Sequence, residues 1–452
     1  MIVKNEAALL GRCLSSIESV ADEIIVVDTG STDTTVDIAR NAGAVVVTAE
    51  WRDDFAAARN ISIDNARGAW ILWLDADDIV PPSTLPLITE LKRKPADRVY
   101  GFIVRNERPG NTGTEFNQAR MFPNRPDIRF ERRIHEQIMP GALRAGLVLE
   151  QCNGVIEHHG YAEPGLLRKK AERNARLLLE EYASGTPDAV TAIEIADSFT
   201  LIDNEEEAAR WYRYVLALPD ARRDSPVLAG HALYGLGVME NKHSNFSSAI
   251  TFFLEALELA PWRTDVLYSL AVAEELNGNT SGAITALQKI FTISPHAGQV
   301  GVDFRAASIK AYLRLGRLFM ENGRINDALR LVREGTDRVP DRPELHSLSG
   351  KVFLKAGMLM EALHAFERSI RNRREGNIEA YIGLCLTYRR AGREEVVGRT
   401  LQSIAGMFSA DSRFFVAVKI LTGKWPVGSM GVPDKEYEEI NEALSRNFFG
   451  TF

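Results

Sequence analysis

The pattern of apolar and polar positions changes character once along the chain. Up to about residue 160, short apolar runs alternate with stretches of helical spacing: 23–27, 44–48, 70–74 and 99–105 read as strands, and 36–41, 54–66 and 82–92 as helices. Strand and helix in turn predict an α/β unit with a largely parallel, doubly wound sheet. Ligands of such sheets lie past the carboxyl ends of the strands, and there the pattern places Asp28 and Asp75.

From about Pro164 the strand pattern stops. Residues 166–182 read as one long amphipathic helix, and a repeat follows it. Ala249 to Phe253, Ala283 to Leu287, Ala328 to Val332 and Ala362 to Phe366 share a small-x-x-x-apolar step, and the first and last pairs of these are each 34 residues apart. That is the tetratricopeptide spacing. Leu236-Gly237, Leu270-Ala271, Leu315-Gly316 and Ser349-Gly350 supply small residues where paired helices approach, and Pro261, Pro295 and Pro340 end repeats. Weaker copies lie at 208–212 and 381–401, and the step from 283 to 328 predicts an insertion near 296–308, as a loop or a helix extension. The expectation is an all-α solenoid with a concave binding surface, a plain helical bundle being the simpler alternative.

Composition narrows the class without choosing a function. The 452 residues suggest two domains, and 45% hydrophobic with 25% charged residues is ordinary for a globular protein. A net charge of -7 speaks against a nucleic-acid groove, which needs a basic stripe. Cys13, Cys152 and Cys385 form neither a disulfide framework nor a zinc knuckle, which fits a reducing cytoplasm. No apolar run is long enough for a transmembrane helix, and the first residues lack a signal peptide's apolar core.

The candidate chemistry starts at Trp70-Ile-Leu-Trp-Leu-Asp75-Ala76-Asp77-Asp78, an apolar strand that delivers three carboxylates into a turn. Clustered carboxylates repel unless a cation joins them, and magnesium or manganese bound through one or two carboxylates commonly holds substrate phosphates as well. An acidic turn capping the next helix is the structural alternative. Ile24-Ile-Val-Val-Asp28-Thr-Gly30-Ser31-Thr32-Asp33 repeats the theme: Gly30 allows close approach, and Ser31, Thr32 or Asp33 caps the next helix. Asp28 could accept from a base or ribose, or the segment could be an ordinary capped turn.

Met1-Ile-Val-Lys-Asn-Glu6, the Asp28 to Asp33 segment, Phe55-Ala-Ala-Ala-Arg59-Asn60 and Leu74-Asp-Ala-Asp77 together resemble inverting family-2 glycosyltransferases of GT-A fold over roughly residues 1–162. The fold class expected is therefore an α/β, Rossmann-like GT-A domain (1–162), a connecting helix (163–185), tetratricopeptide-like repeats (186–410) and a helical cap or tail (411–452). The resemblance implies nucleotide contacts at Val3, Asn5, Glu6, Gly30 and Ala76, with Asp28 and Arg59 near the base and Asp75 near the ribose or metal. It makes Asp77 the direct metal ligand, with Asp75 beside it. Ile156-Glu-His158-His159-Gly160 resembles the late GT-A segment that adds a histidine ligand; His158 is preferred to His159 and tilts the metal from Mg2+ toward Mn2+. An inverting transfer needs a base on the acceptor side, and Ile134-His135-Glu136 resembles the family's segment there, with Glu136 as base and His135 as its orienter or substitute. Arg120, Arg129, Arg132 and Arg133 could bind diphosphate or an acidic acceptor, or make surface ion pairs. Where related chains carry several apolar residues before the Met-Ile-Val-Lys-Asn-Glu segment, this one starts within it, so a short first strand is expected.

The combination is similar to bacterial peptide- and protein-modifying transferases, bacteriocin-modifying and flagellin-modifying ones among them. It implies a cytoplasmic enzyme, possible as a homodimer, that moves a hexose or N-acetylhexosamine from a nucleoside diphosphate sugar, UDP-linked by preference, to a peptide or protein docked on the repeats. A lipopolysaccharide or polysaccharide acceptor is the first alternative, and a non-catalytic repeat scaffold the second. A nucleotidyltransferase would need a Gly-rich triphosphate loop near the N-terminus, and none is seen there.

Overall fold

A computed structural model of the chain describes residues 1–106, 115–160, 164–183, 187–294, 303–373, 377–409, 411–423 and 433–444. The chain divides into two compact units, Met1–Ser269 with Ser294–Ala306 and Leu270–Ile293 with Ala307–Phe452.

The first unit opens with β1 (Ile2–Val3), α1 (Leu10–Ile17), β2 (Ile25–Asp28), α2 (Thr35–Asn41) and β3 (Val45–Thr48). Three parallel strands in the order β1-β2-β3 result, paired Val3 to Asp28 and Asp28 to Thr48. Then come α3 (Phe55–Asp64), β4 (Trp70–Leu72), β5 (Asp78–Ile79), α4 (Leu85–Leu91), β6 (Arg98–Asn106), β7 (Glu115–Pro123), α5 (Met139–Arg144) and β8 (Val148–His158). These five strands form a second sheet in the order β4-β7-β6-β8-β5.

The parallel arrangement expected from the α/β alternation thus holds for β1 to β3 and for the β6–β8 pair, whereas β4–β7, β6–β7 and β5–β8 are antiparallel. Only eight residues, 107–114, separate β6 from β7, fewer than the roughly dozen a parallel crossover needs, and such neighbours pair antiparallel. Strand β4 ends at Leu72 rather than at residue 74, although Trp73 still donates its backbone N–H to Arg120 at 3.0 Å. The first strand is short, as expected, and the Met1 ammonium donates to the Ile25 carbonyl at 2.8 Å. Burial pushes that amine down to about 5. A cavity of about 240 Å³ has Met1, Ile24, Ile25, Trp70 and Leu72 in its wall.

Helix α6 (Pro164–Tyr182) leaves the second sheet, and its Leu177 and Leu178 bury against α7 (Ala189–Leu201) and α8 (Glu205–Ala217). After α9 (Ala221–Asp224), α10 (Pro226–Lys242) and α11 (Phe246–Leu259) pack as a pair, ending just before Pro261. A Cβ on Gly237 would sit 2.6 Å from the Phe253 ring, so the small residue at this position sets the helix approach. Helix α12 (Thr264–Leu276) carries the chain across the division between the units.

The second unit is helical throughout its described residues: α13 (Thr280–Ile290), α14 (Phe304–Glu321), α15 (Ile325–Arg338), α16 (Pro343–Lys355), α17 (Leu359–Asn372), α18 (Ile378–Arg390), α19 (Glu394–Ile404), α20 (Ser412–Thr422) and α21 (Asp434–Leu444). Ala283, Ala328 and Ala362 are fully buried, as is Ala249 of the first unit, and Gly350 packs against the Phe366 ring. The inserted stretch ends as a helix extension, since α14 begins at Phe304; 295–302, with Pro295, lie outside the described residues.

Candidate functional site

Two chain segments 80 residues apart in sequence build the acidic site. The β5–β8 pairing sets Asp78 opposite His158, and His159 donates its backbone N–H to the Asp77 carbonyl at 2.9 Å. The turn before β5 closes on itself: Asp78 donates to the Asp75 carbonyl at 3.1 Å, and its own carboxylate accepts the Asp75 N–H at 2.8 Å. The side chains of Asp75, Asp77, Asp78 and His158 thereby bring ligand atoms within 4.8 Å of one another.

The three carboxylates are not equivalent. Asp78 is fully buried, with one oxygen taken by Arg120 Nη1 at 2.8 Å and the other 2.9 Å from His158 Nδ1. It orients the histidine, as the carboxylate behind a metal-ligating imidazole does. Asp77 keeps 16% of its side chain exposed and lies 3.4 Å from His158 Nδ1. Burial raises its pKa despite His158, and the carboxylates of Asp75 and Asp78 raise it further. Burial would also raise Asp75, but Arg59 and Arg120 outweigh it and hold that carboxyl well below the usual range. Against its own burial, His158 is raised by the Asp78 hydrogen bond and the charges of Asp77 and Asp78.

This donor set fits a divalent cation. Asp75 and Asp77 offer hard oxygens, His158 a nitrogen, and Gly160 leaves room among them: a Cβ at that position would press on the Asp77 carboxylate and lie 2.8 Å from His158 Nε2. Gly160, part of the late segment quoted from the sequence but given no role there, is a position where any side chain would collide with Asp77 and His158.

Helix α3 brings Arg59 to the same place. Its Nη2 donates to Asp75 at 2.8 Å and its Nε to Glu136 at 2.5 Å, with the guanidinium 4.4 Å from the Trp73 ring. Nη1 is buried without a partner. Glu6 faces the cluster too, its pKa raised by burial and then by Asp77. Asp28 is buried at the end of β2 and accepts from the backbone N–H groups of Gly30 (3.3 Å) and Ser31 (3.1 Å). Gly30 has φ +104°, where a side chain would strain the turn. Asn5, just past β1, holds that turn: its backbone N–H donates to Ser31 Oγ at 2.9 Å and its side-chain oxygen accepts the Thr32 N–H at 2.8 Å. The N-cap of α2 is Thr34 rather than any of the three candidates, although the Asp33 carboxylate accepts the Thr35 N–H at 3.0 Å. Val3 and Ala76 are buried side chains of one apolar cluster, so either could meet a ligand only through its backbone.

The four arginines make ion pairs. Arg120 is 2% exposed under the Trp73 ring and pairs with Asp78, which removes it from the candidates for diphosphate. Arg129 pairs with Asp64, Arg132 with Glu194 of α7, and Arg133 with Glu180. His135 lies 4.0 Å from the same Glu194.

Residues 1–148 match the family model "Glycosyl transferase family 2". The first part of the chain is a family-2 glycosyltransferase domain. Residues 313–394 match a tetratricopeptide-repeat model, so the transferase domain is followed by TPR-like helices. A TPR repeat-containing protein of Synechococcus elongatus is 34% identical over 57% of this chain and 65% of its own length. The SPbeta prophage-derived glycosyltransferase SunS of Bacillus subtilis is 28% identical over 46% of this chain and 50% of its own. The chain thus spans less than two thirds of the length of either relative. Among solved structures, a tetratricopeptide repeat protein from Parabacteroides merdae aligns with 14% identity and a TM-score of 0.40 over 56% of this chain and 97% of that one, too low a score to add to the fold described above. Among the described residues no helix is long and apolar enough to cross a membrane.

Proposed function

We propose that this glycosyltransferase domain is a metal-dependent inverting enzyme that moves a hexose or N-acetylhexosamine from a UDP-sugar to a peptide or protein held by the TPR-like helices. The observation that carries the reading is the clustering of Asp75, Asp77 and His158, with Asp78 behind them, whose ligand atoms lie within 4.8 Å of one another beside Gly160, where a side chain would displace them. A divalent cation there would neutralise charge on the departing diphosphate, and the imidazole favours manganese over magnesium. Asp28, Asn5, Glu6, the backbone of Val3, Gly30 and Ala76, and the buried donor of Arg59 are proposed for the nucleotide side. Glu136 and His135, on the segment that Arg59 ties to Asp75, are proposed for the acceptor side. The peptide acceptor rests on the TPR match, and the unpaired cysteines fit a reducing cytoplasm.

The purified chain is incubated with manganese and UDP-glucose, UDP-galactose, UDP-N-acetylglucosamine or UDP-N-acetylgalactosamine separately, and UDP release is followed against Asp77→Ala. Release that the variant loses is expected with at least one donor. Manganese should also raise the melting temperature of the wild type and leave that of Asp77→Ala unchanged. No release with any donor and no metal-dependent shift would refute the reading.

A further inference from the structure

The segment carrying Glu136 and His135 is a closed loop. Glu131 and Gln137 exchange both backbone hydrogen bonds at 3.0 Å, and residues 132–136 form the tip between them. Ile134 buries against Leu177 and Leu178 of α6 and Ala192 and Ile195 of α7, which fixes the tip on the helices. On either side of Ile134 the backbone turns left-handed, with φ +77° at Arg132 and +51° at His135. Such conformations persist in non-glycine residues only where surrounding structure imposes them. Here they send two side chains to one carboxylate. Arg132 Nη2 donates to Glu194 Oε2 at 2.8 Å and to Thr191 Oγ1 at 2.9 Å, and His135 Nδ1 stands 4.0 Å from Glu194 Oε1.

Glu136 points the other way and is committed. It meets Arg59 at 2.5 Å and keeps 12% of its side chain exposed, whereas His135 keeps 41%. A carboxylate held at 2.5 Å on a buried guanidinium is not free to turn to an acceptor, whereas an accessible imidazole beside a second carboxylate is.

We propose that Glu194, on the first helix after the transferase domain's connecting helix, is a positioning residue that orients His135, and that His135 rather than Glu136 takes the acceptor's proton. This rests on the transferase reading above. With substrate bound, ionised Glu194 closes from 4.0 Å to accept Nδ1–H of neutral His135, which leaves the Nε2 lone pair for the acceptor. As the acceptor oxygen or sulfur bonds to the anomeric carbon, its proton passes to Nε2. The bond from that carbon to the diphosphate breaks, and its electron pair leaves on the diphosphate oxygen. The surrounding charges suit this division. Loss of hydration and Arg132 lower His135, with Arg173 adding to them and Glu136 and Asp197 opposing. Burial raises Glu194 to about 7 against its pairing with Arg132, and Asp188 and Glu181 push it the same way. Below that pH a protonated Glu194 donates to Nδ1 and puts the remaining ring proton on Nε2, where it blocks the base.

The test is the pH dependence of kcat/KM for UDP release by the full chain, with water as acceptor, in wild type and Glu194→Gln. The wild type should lose rate about tenfold per pH unit below pH 7, as a single ionisation requires. Glu194→Gln, whose amide oxygen accepts Nδ1–H at every pH and still receives Arg132, should move that limb below pH 6. Without any variant of Glu194, the ring resonances of His135, assigned with His135→Gln, should report a tautomer change near pH 7. An unchanged limb in Glu194→Gln, a uniform loss of rate at all pH, or no tautomer change would each overturn the inference. A wild type that releases no UDP from any of the four donors and shows no manganese-dependent melting shift brings down the transferase reading itself, so the two failures are distinguishable.

Discussion

Arg120 sits in the middle of β7 with its guanidinium 3.9 Å from the Trp73 ring, and Arg120→Met removes its charge while keeping most of its volume. Asp78, with none of its side chain exposed, then retains His158 and the Asp75 N–H but loses its buried cation at 2.8 Å. Removing one partner of a buried pair costs about 3–5 kcal/mol, most of it the uncompensated charge left behind. His158 is already drawn toward protonation by Asp78 and relieves part of this, which leaves an expected loss of about 3 kcal/mol. Urea unfolding followed by tryptophan fluorescence reads the loss as a shift in the midpoint of the transition that reports the α/β sheets, since a chain of two units need not unfold in one step. Arg120→Met with Asp78→Asn should recover part of the loss, because the double variant buries no charge at that pair. A single variant within about 1 kcal/mol of wild type, or a double variant whose loss is the sum of the singles, would refute the reasoning. The activity of Arg120→Met should follow its folded fraction; a raised donor KM in a fully stable variant would instead make Arg120 a diphosphate ligand.

Two further outcomes check the helical part. Glu194 is raised from 4.5 to about 7, so the folded state holds its proton more tightly than the unfolded state. The stability this contributes is complete below pH 4.5 and is lost as pH rises to 7. With 16% of the side chain exposed, the linkage amounts to at most about 3 kcal/mol; urea midpoints at pH 4.5 and 7.5 should show the fall in wild type and not in Glu194→Gln. In α18, Gly383→Ala would drive a methyl into the buried Phe366 ring that Gly350 also touches, and overpacking of about 1–3 kcal/mol should exceed the roughly 1 kcal/mol gained in helix propensity. Gly398→Ala in α19, with open space around it, should show that gain alone, and thermal melts that rank the two variants the other way would contradict the packing.

The parts of the site that were legible in the sequence are those written in consecutive residues. The apolar run before Asp75-Ala76-Asp77, the Asp28 turn with Gly30, and the alanine steps of the repeats need only local spacing, and the structure places each on the element expected, with the alanines buried. Arg120 was visible as one of four candidate arginines, but sequence offered no means of telling a buried partner of Asp78 from a ligand for phosphate. Arg132 was equally opaque, because its partner Glu194 lies 62 residues on.

By itself, then, the sequence determined the two periods, the helical repeat and the clustering of carboxylates after one strand, since side-chain alternation and helix spacing are properties of short segments. Only the tertiary structure decided which carboxylate supports and which is open, that Asp78 is the one holding His158, and that Glu136 is engaged by Arg59. Those assignments depend on the β5–β8 register and on where α3 and α7 pack, and pairings over 60 to 80 residues are set by burial across the fold, which leaves no mark on local spacing.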